Sequence, residues 1–192
     1  MRVVLATNNA GKLSELQSLL AALAIQVVAK SVFTADAVAE TGTSFVANAL
    51  IKARHAAAAA QLPAIADDSG IEVDALLGAP GVRSARFAGE PCDDTRNNRK
   101  LLEELRGVSA EARTARYRCA AAFVDGKREL VRTGACEGRV LDAPRGSGGF
   151  GYDPLFLVER LGRAMAELSA DEKNQISHRA AAFHALAAAL RA

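Results

Sequence analysis

Val3-Val4-Leu5-Ala6 is a continuous apolar run, and the polar loop Thr7-Asn8-Asn9-Ala10-Gly11-Lys12 follows it. Such a run reads as a strand buried on both faces. Leu13, Leu16, Leu20 and Leu23 then recur at helical spacing, and Ile25 to Ala29 reads as a second strand. Two strands joined through a helix need a crossover, which pairs them in parallel. The opening points to an α/β fold, and the order of the later elements extends it to a mixed sheet with flanking helices.

Those elements are legible in turn. Glu40 to Ser44 is a turn with ready N-caps, leading into a helix from about Phe45 to Gln61. Asn48 and Lys52 lie on one face of that helix. Asp93, Asp94 and Thr95 cap a helix carrying Leu101, Leu102 and Leu105. From Thr114 the pattern alternates, with Tyr117, Cys119, Ala121 and Phe123 on one face. Asp125-Gly126 turns the chain and Glu129 to Val140 returns, a hairpin suited to a second lobe or a dimer surface. Leu155 to Val158 is another buried strand. Ser169 to Glu172 is a capping box, and a last helix from about Ser177 buries Phe183, Leu186 and Leu190.

Composition removes several function classes. With 192 residues the chain suffices for one domain, 1–192, or two small lobes. No apolar run approaches the roughly 20 residues that span a bilayer, and the N-terminus lacks the plan of a signal peptide. A net charge of +2 is too small for a nucleic-acid coat, so no nucleic-acid polymer is expected. Cys92, Cys119 and Cys136 are odd in number and lack zinc-site spacing, which suits reduced thiols in a cytoplasmic protein.

Candidate chemistry centres on Ala64 to Asp74. Ile65 and Ala66 read as a strand end, Ser69-Gly70 as a tight turn, and Asp67 and Asp68 as carboxylates where the strand stops. Neighbours on a strand point to opposite faces, so only one of the two can face a given cleft. The loop Thr7 to Lys12 offers a hydroxyl, an amide, a lysine and a helix N-terminus to phosphate. It is not a P-loop, because Ala6 stands at the first glycine and Leu13 at the magnesium-binding hydroxyl. Gly146 to Gly151 matches a dinucleotide fingerprint by letter, but Tyr152-Asp153-Pro154 follows where a helix should begin. Its glycines instead allow close approach to a planar ligand, with Phe150 as a stacking face. Lys173, His178 and Arg179 can donate to a purine O6 or N7 acceptor, while Arg83 and Arg86 suit a phosphate or a partner subunit. Carboxylates at Glu40, Asp67 and Asp68, phosphate donors at Thr7, Asn9, Lys12, Lys52 and Ser69, and a donor set for a base form one inventory. A magnesium-dependent nucleoside triphosphate hydrolase needs that inventory, since Mg²⁺ takes one or two carboxylates plus substrate phosphates.

Five stretches carry a family resemblance: Val4 to Lys12, Glu40 to Arg54, Ala66 to Gly70 with Gly78 to Arg86, Gly148 to Pro154, and Ser177 to Arg179. In this order and over nearly the full length, the chain resembles the inosine triphosphate pyrophosphatases, which act on dITP, XTP and other non-standard purine nucleoside triphosphates. The resemblance implies an elongated mixed β-sheet with flanking helices forming two lobes around an active-site cleft, in a homodimer. It implies that Thr7, Asn9 and Lys12, within the loop from Thr7 through Asn8, Ala10 and Gly11, hold the triphosphate with Lys52 nearby. Glu40 and Asp68 would bind Mg²⁺, and Asp68 would also accept the proton of the attacking water. Ser69 would touch the substrate. Phe150, Gly151, Tyr152 and Asp153 would line the base pocket, with Lys173, His178 and Arg179 reading the base. The implied reaction is water attack on the α-phosphorus, giving the monophosphate and pyrophosphate and cleansing the nucleotide pool. Two alternatives use overlapping features: a related pyrophosphatase acting on modified pyrimidine or dTTP-like substrates, and a non-enzymatic nucleotide- or RNA-binding module.

Overall fold

The computed structural model describes residues 2–7, 9–22, 25–34, 36 and 38–191. Asn8, expected in a phosphate-binding loop, and Leu23, expected in the first helix, lie outside them. The elements are β1 (Arg2–Leu5), α1 (Ala10–Ala22), β2 (Gln26–Ala29), α2 (Phe45–Ala60), β3 (Ala64–Val73), α3 (Asp94–Glu104), β4 (Thr114–Val124), β5 (Glu129–Val140), β6 (Phe156–Val158), β7 (Arg163–Ala164), α4 (Ala170–Ile176) and α5 (His178–Arg191). One open sheet runs β2-β1-β3-β4-β5-β6-β7. β1 is parallel to β2 and β3, while β6 is antiparallel to β5 and β7, so the sheet is mixed, as the sequence indicates. Among the described residues no helix is long and apolar enough to cross a membrane.

The chain divides into two compact units, Met1–Asp68 with Cys119–Gly134 and His178–Ala192, and Ser69–Arg118 with Ala135–Ser177. In the first unit, strand alternation sorts the core into two layers. Val3, Leu5, Ile65, Cys119, Ala121 and Phe123 pack with Leu16 and Leu20 of α1 and with Phe183 and Leu186 of α5. The opposite parity, Val4, Ala6, Ala64, Ala66, Ala120 and Ala122, packs with Ala49, Ala53 and Ala56 of α2. In the second unit Ile71, Val73, Leu101, Leu105, Tyr117, Val140, Leu155 and Phe156 form the core, with the Tyr117 and Phe156 rings 4.5 Å apart.

Three sequence expectations change. Ser69-Gly70 is not a turn, because β3 runs unbroken through both, so Asp67 and Asp68 lie within a strand. Glycine is needed at position 70 for close approach: a Cβ there would stand 2.4 Å from Ser84 Oγ and 2.5 Å from the Gly81 carbonyl oxygen. The β4–β5 hairpin is not a lobe of its own, since it supplies residues to both units. On β4 the face opposite Cys119, Ala121 and Phe123 is buried too, because its alanines meet α2.

Gly134 fixes how α5 meets β5. A Cβ there would lie 2.2 Å from the His178 carbonyl oxygen and 2.6 Å from the Ala182 amide nitrogen. Both are backbone atoms and cannot rotate away. Gly134→Ala is therefore expected to cost about 1–3 kcal/mol. Calorimetry should show this as a Tm lowered by roughly 2–12 °C, whereas an unchanged Tm would mean that α5 does not approach so closely.

Candidate active site

The first unit gathers the loop after β1 with Asp67 and Asp68 of β3. Leu5 of β1 pairs in parallel register with Ile65 of β3, which brings the loop after β1 beside the next residues of β3. The end of a parallel strand is a common place for a ligand. The loop is shaped by its own side chains. Thr7 Oγ1 accepts from the Asn9 amide at 3.2 Å, and Asn9 Oδ1 accepts from the Lys12 amide at 2.9 Å, so Asn9 opens α1 as its cap. The first turn of α1 then presents its amide dipoles next to Lys12.

Asp67 and Asp68 part to opposite faces, as alternation requires. Asp67 is fully buried on the α1 and α5 side, where its Oδ2 is 3.0 Å from Lys12 Nζ and 3.4 Å from Arg179 Nε. Arg179 Nη1 also donates to Glu15 of α1. Burial pushes the Asp67 carboxyl up, but Lys12, Arg179 and Lys52 outweigh it and hold it well below the usual carboxylate range. Cys119, buried beside this cluster, has its thiol pushed up to about 12 and stays protonated.

Asp68 faces α2. Its Oδ1 accepts from Lys52 Nζ at 2.8 Å and its Oδ2 from Asn48 Nδ2 at 3.2 Å. Lys52 Nζ also donates to Glu40 Oε1 at 2.8 Å. Asn48 Oδ1 accepts from the Gly42 amide at 2.8 Å, which ties the segment carrying Glu40 to the helix. Burial pushes the Asp68 carboxyl up; Lys52 and Lys12 pull against this and Glu40 adds to it, leaving the pKa above the ordinary value. Burial disfavours the Lys52 ammonium, but Asp68, Asp67 and Glu40 outweigh it and raise its pKa. Lys52 thus stays charged, shared between the Asp68 and Glu40 carboxylates.

The convergence of two carboxylates on one cation bears on whether a metal fits. Among the described residues no group of three or more His, Cys, Asp or Glu side chains is placed to hold a metal. A two-carboxylate site is instead what suits a hard divalent ion that takes its other ligands from substrate phosphates and water. Glu40 and Asp68 fit that description.

The second unit holds the glycine-rich loop. Asp153 is its hub: Oδ2 accepts from the Phe150 amide at 3.0 Å and from Lys173 Nζ at 2.5 Å, and Oδ1 from the Tyr117 hydroxyl at 3.1 Å. The Lys173 ammonium stands 4.6 Å from the centre of the half-buried Phe150 ring, within cation–π range. Gly149 has φ +72°, and a Cβ there would meet Asp153 Oδ2 at 2.1 Å. Asp94 and Asn98 of α3 clamp the Gly151 peptide, accepting from its amide at 2.7 Å and donating to its carbonyl at 2.8 Å. Tyr152 is buried in the core, its hydroxyl donating to the Ser84 carbonyl at 2.7 Å, so Phe150 is the more accessible of the two rings.

Of the residues expected at a site, Thr7, Asn9, Lys12, Glu40, Lys52, Asp68, His178 and Arg179 belong to the first unit. Ser69, Phe150, Gly151, Tyr152, Asp153 and Lys173 belong to the second. Lys173 and Arg179, grouped above as donors to a base, therefore have different surroundings, with Arg179 against Asp67 and Glu15. Sequence reading missed Asn48, Glu15, Asp94 and Asn98. Only Asn48 carried a signal, its placement four residues before Lys52 on one helix face.

Residues 3–189 match the model of the Ham1 family. The chain is 51% identical to a dITP/XTP pyrophosphatase of Photobacterium profundum, over 99% of this chain and 98% of that protein. The fold superimposes on a HAM1 protein from Coxiella burnetii with a TM-score of 0.90 at 43% identity, covering 100% of this chain and 98% of that one. The Staphylococcus aureus Ham1 protein gives 0.88 at 38% identity, with the same coverage. The chain belongs to the Ham1 family.

Proposed function

We propose that this chain hydrolyses non-standard purine nucleoside triphosphates, dITP, XTP and ITP, to the monophosphate and pyrophosphate. The observation that carries the reading is the convergence of Glu40 and Asp68 on the Lys52 ammonium, in the unit that also presents Lys12 and the N-terminus of α1. The relative named a dITP/XTP pyrophosphatase, at half identity over the full length, gives it its substrate class.

The chain's residues divide the work. Thr7, Asn9, Lys12 and the first turn of α1 bind the polyphosphate. Glu40 and Asp68 would hold a magnesium ion, which would neutralise charge on the phosphate oxygens. Asp68 accepts the proton of the attacking water. Water adds to the α-phosphorus, the bond to the bridging oxygen breaks, and pyrophosphate leaves with the electron pair. Lys12 and Lys52 stabilise the charge on the oxygens as it develops. In this reading the 192 residues work as one domain of a cytoplasmic protein, in the homodimer that the family resemblance implies.

Base selection follows from donors. Lys173, held by Asp153 over Phe150, presents an ammonium that suits a 6-oxo group and leaves adenine's amino group facing another donor. Unpaired buried polar groups discriminate by on the order of 10⁴. We expect kcat/KM for dITP and XTP to exceed that for ATP by that order, read as pyrophosphate release with Mg²⁺. Comparable turnover of ATP and dITP contradicts the donor pocket; preference for dTTP transfers the chain to the pyrimidine alternative.

A further inference from the structure

We infer that Lys52 and the divalent ion compete for Glu40 and Asp68, so that binding the ion and releasing the Lys52 ammonium are one exchange. The inference rests on the metal-dependent reading above and adds a role for Lys52 that the reading does not contain. Lys52 Nζ stands 2.8 Å from Glu40 Oε1 and 2.8 Å from Asp68 Oδ1, so two of its three donors are committed to the oxygens that fit the ion. Magnesium binds oxygen at about 2.0–2.1 Å, which would bring it against an ammonium on the same atoms. Like charges that close repel, so the two cations do not share the pair.

The Asp68 carboxylate has a second anchor besides Lys52. Asn48 donates to Asp68 Oδ2 at 3.2 Å and accepts from the Gly42 amide at 2.8 Å, holding the aspartate and the Glu40 segment from the other side. Lys52 has a flexible four-carbon stem, so its head can leave while the acids stay. Once displaced, the ammonium needs a new anion, and a polyphosphate arriving with the metal supplies one. The exchange makes the site a poor trap for free metal and a good one for the metal–nucleotide complex.

The test is calorimetric titration of Mn²⁺ alone, without nucleotide, into the wild type, Lys52→Met and Lys52→Arg. Removing the competing ammonium should tighten Mn²⁺ binding at least about tenfold in Lys52→Met, the scale of one charge-assisted hydrogen bond. Lys52→Arg keeps the charge and should stay near the wild type. If Lys52→Met does not fold, Lys52→Gln makes the same comparison. Mn²⁺ affinity that is unchanged or weaker in the neutral variants, equally tight binding in Lys52→Arg, or no Mn²⁺ binding by any of the proteins overturns the exchange. Wild-type hydrolysis of dITP is measured separately: its failure sinks the proposed function, whereas activity with the wrong order of Mn²⁺ affinities sinks only the exchange.

Discussion

Asp68→Asn is expected to lower kcat for dITP at least about 100-fold while Tm holds or rises. The catalytic loss follows from removing the proton acceptor and one of two carboxylates for the metal. The stability result follows from the direction of the Asp68 pKa, which burial raises above the ordinary carboxylate value. For a carboxyl raised on folding, the folded state binds more protons than the unfolded state between the two values. Stability then falls as pH rises through that window, and at neutral pH the Asp68 charge is a net cost. Asparagine removes the charge and keeps an oxygen for Lys52. Near-normal kcat would take Asp68 out of the mechanism. A Tm several degrees lower would mean that the Asp68–Lys52 pair outweighs the burial of the charge.

Asp67→Ala should behave in the opposite way and act first on stability. It leaves Arg179, buried on α5, and Lys12 without the carboxylate both face. Breaking a buried ion pair from one side costs about 3–5 kcal/mol. For a chain of this size that is a Tm lower by roughly 6–20 °C. Adding Arg179→Met to Asp67→Ala should recover part of the loss, because the buried guanidinium, then left with Glu15 as its acidic partner, is gone. The pH dependence also has the opposite sign to that of Asp68. Lys12 and Arg179 hold Asp67 below its unfolded pKa, so its contribution is full above that value, declines as pH falls below it and is gone once pH has fallen through the folded one. A Tm within a degree or two of the wild type would make Asp67 a passive strand residue.

The adjacent aspartates also mark how far sequence alone reaches. That they face opposite ways was legible, because strand alternation is local. What they face was not. Arg179 lies 112 residues from Asp67 and 164 from Glu15, and no local pattern joins them. Nearness in sequence grouped Arg179 with Lys173, yet the chain passes from one unit to the other at Ser177–His178. Gly70 misled for the same reason: its cause is Ser84, far along the chain, which needs the space a side chain would fill. The β-loop-α-β opening and the capped helices were read correctly because apolar period and cap chemistry act within a few residues. On β4 the burial of Ala120 and Ala122 was hidden, because alanine is weakly apolar and its contacts on α2 are set by packing.

Hydrolysis at the α-phosphorus by water that Asp68 activates is tested most directly by turnover of dITP in ¹⁸O-water, with both products weighed by mass spectrometry. The expected result is label in dIMP and none in pyrophosphate, at a rate that collapses in Asp68→Asn. Label in pyrophosphate or in released orthophosphate, or a full rate without the Asp68 carboxylate, would contradict it.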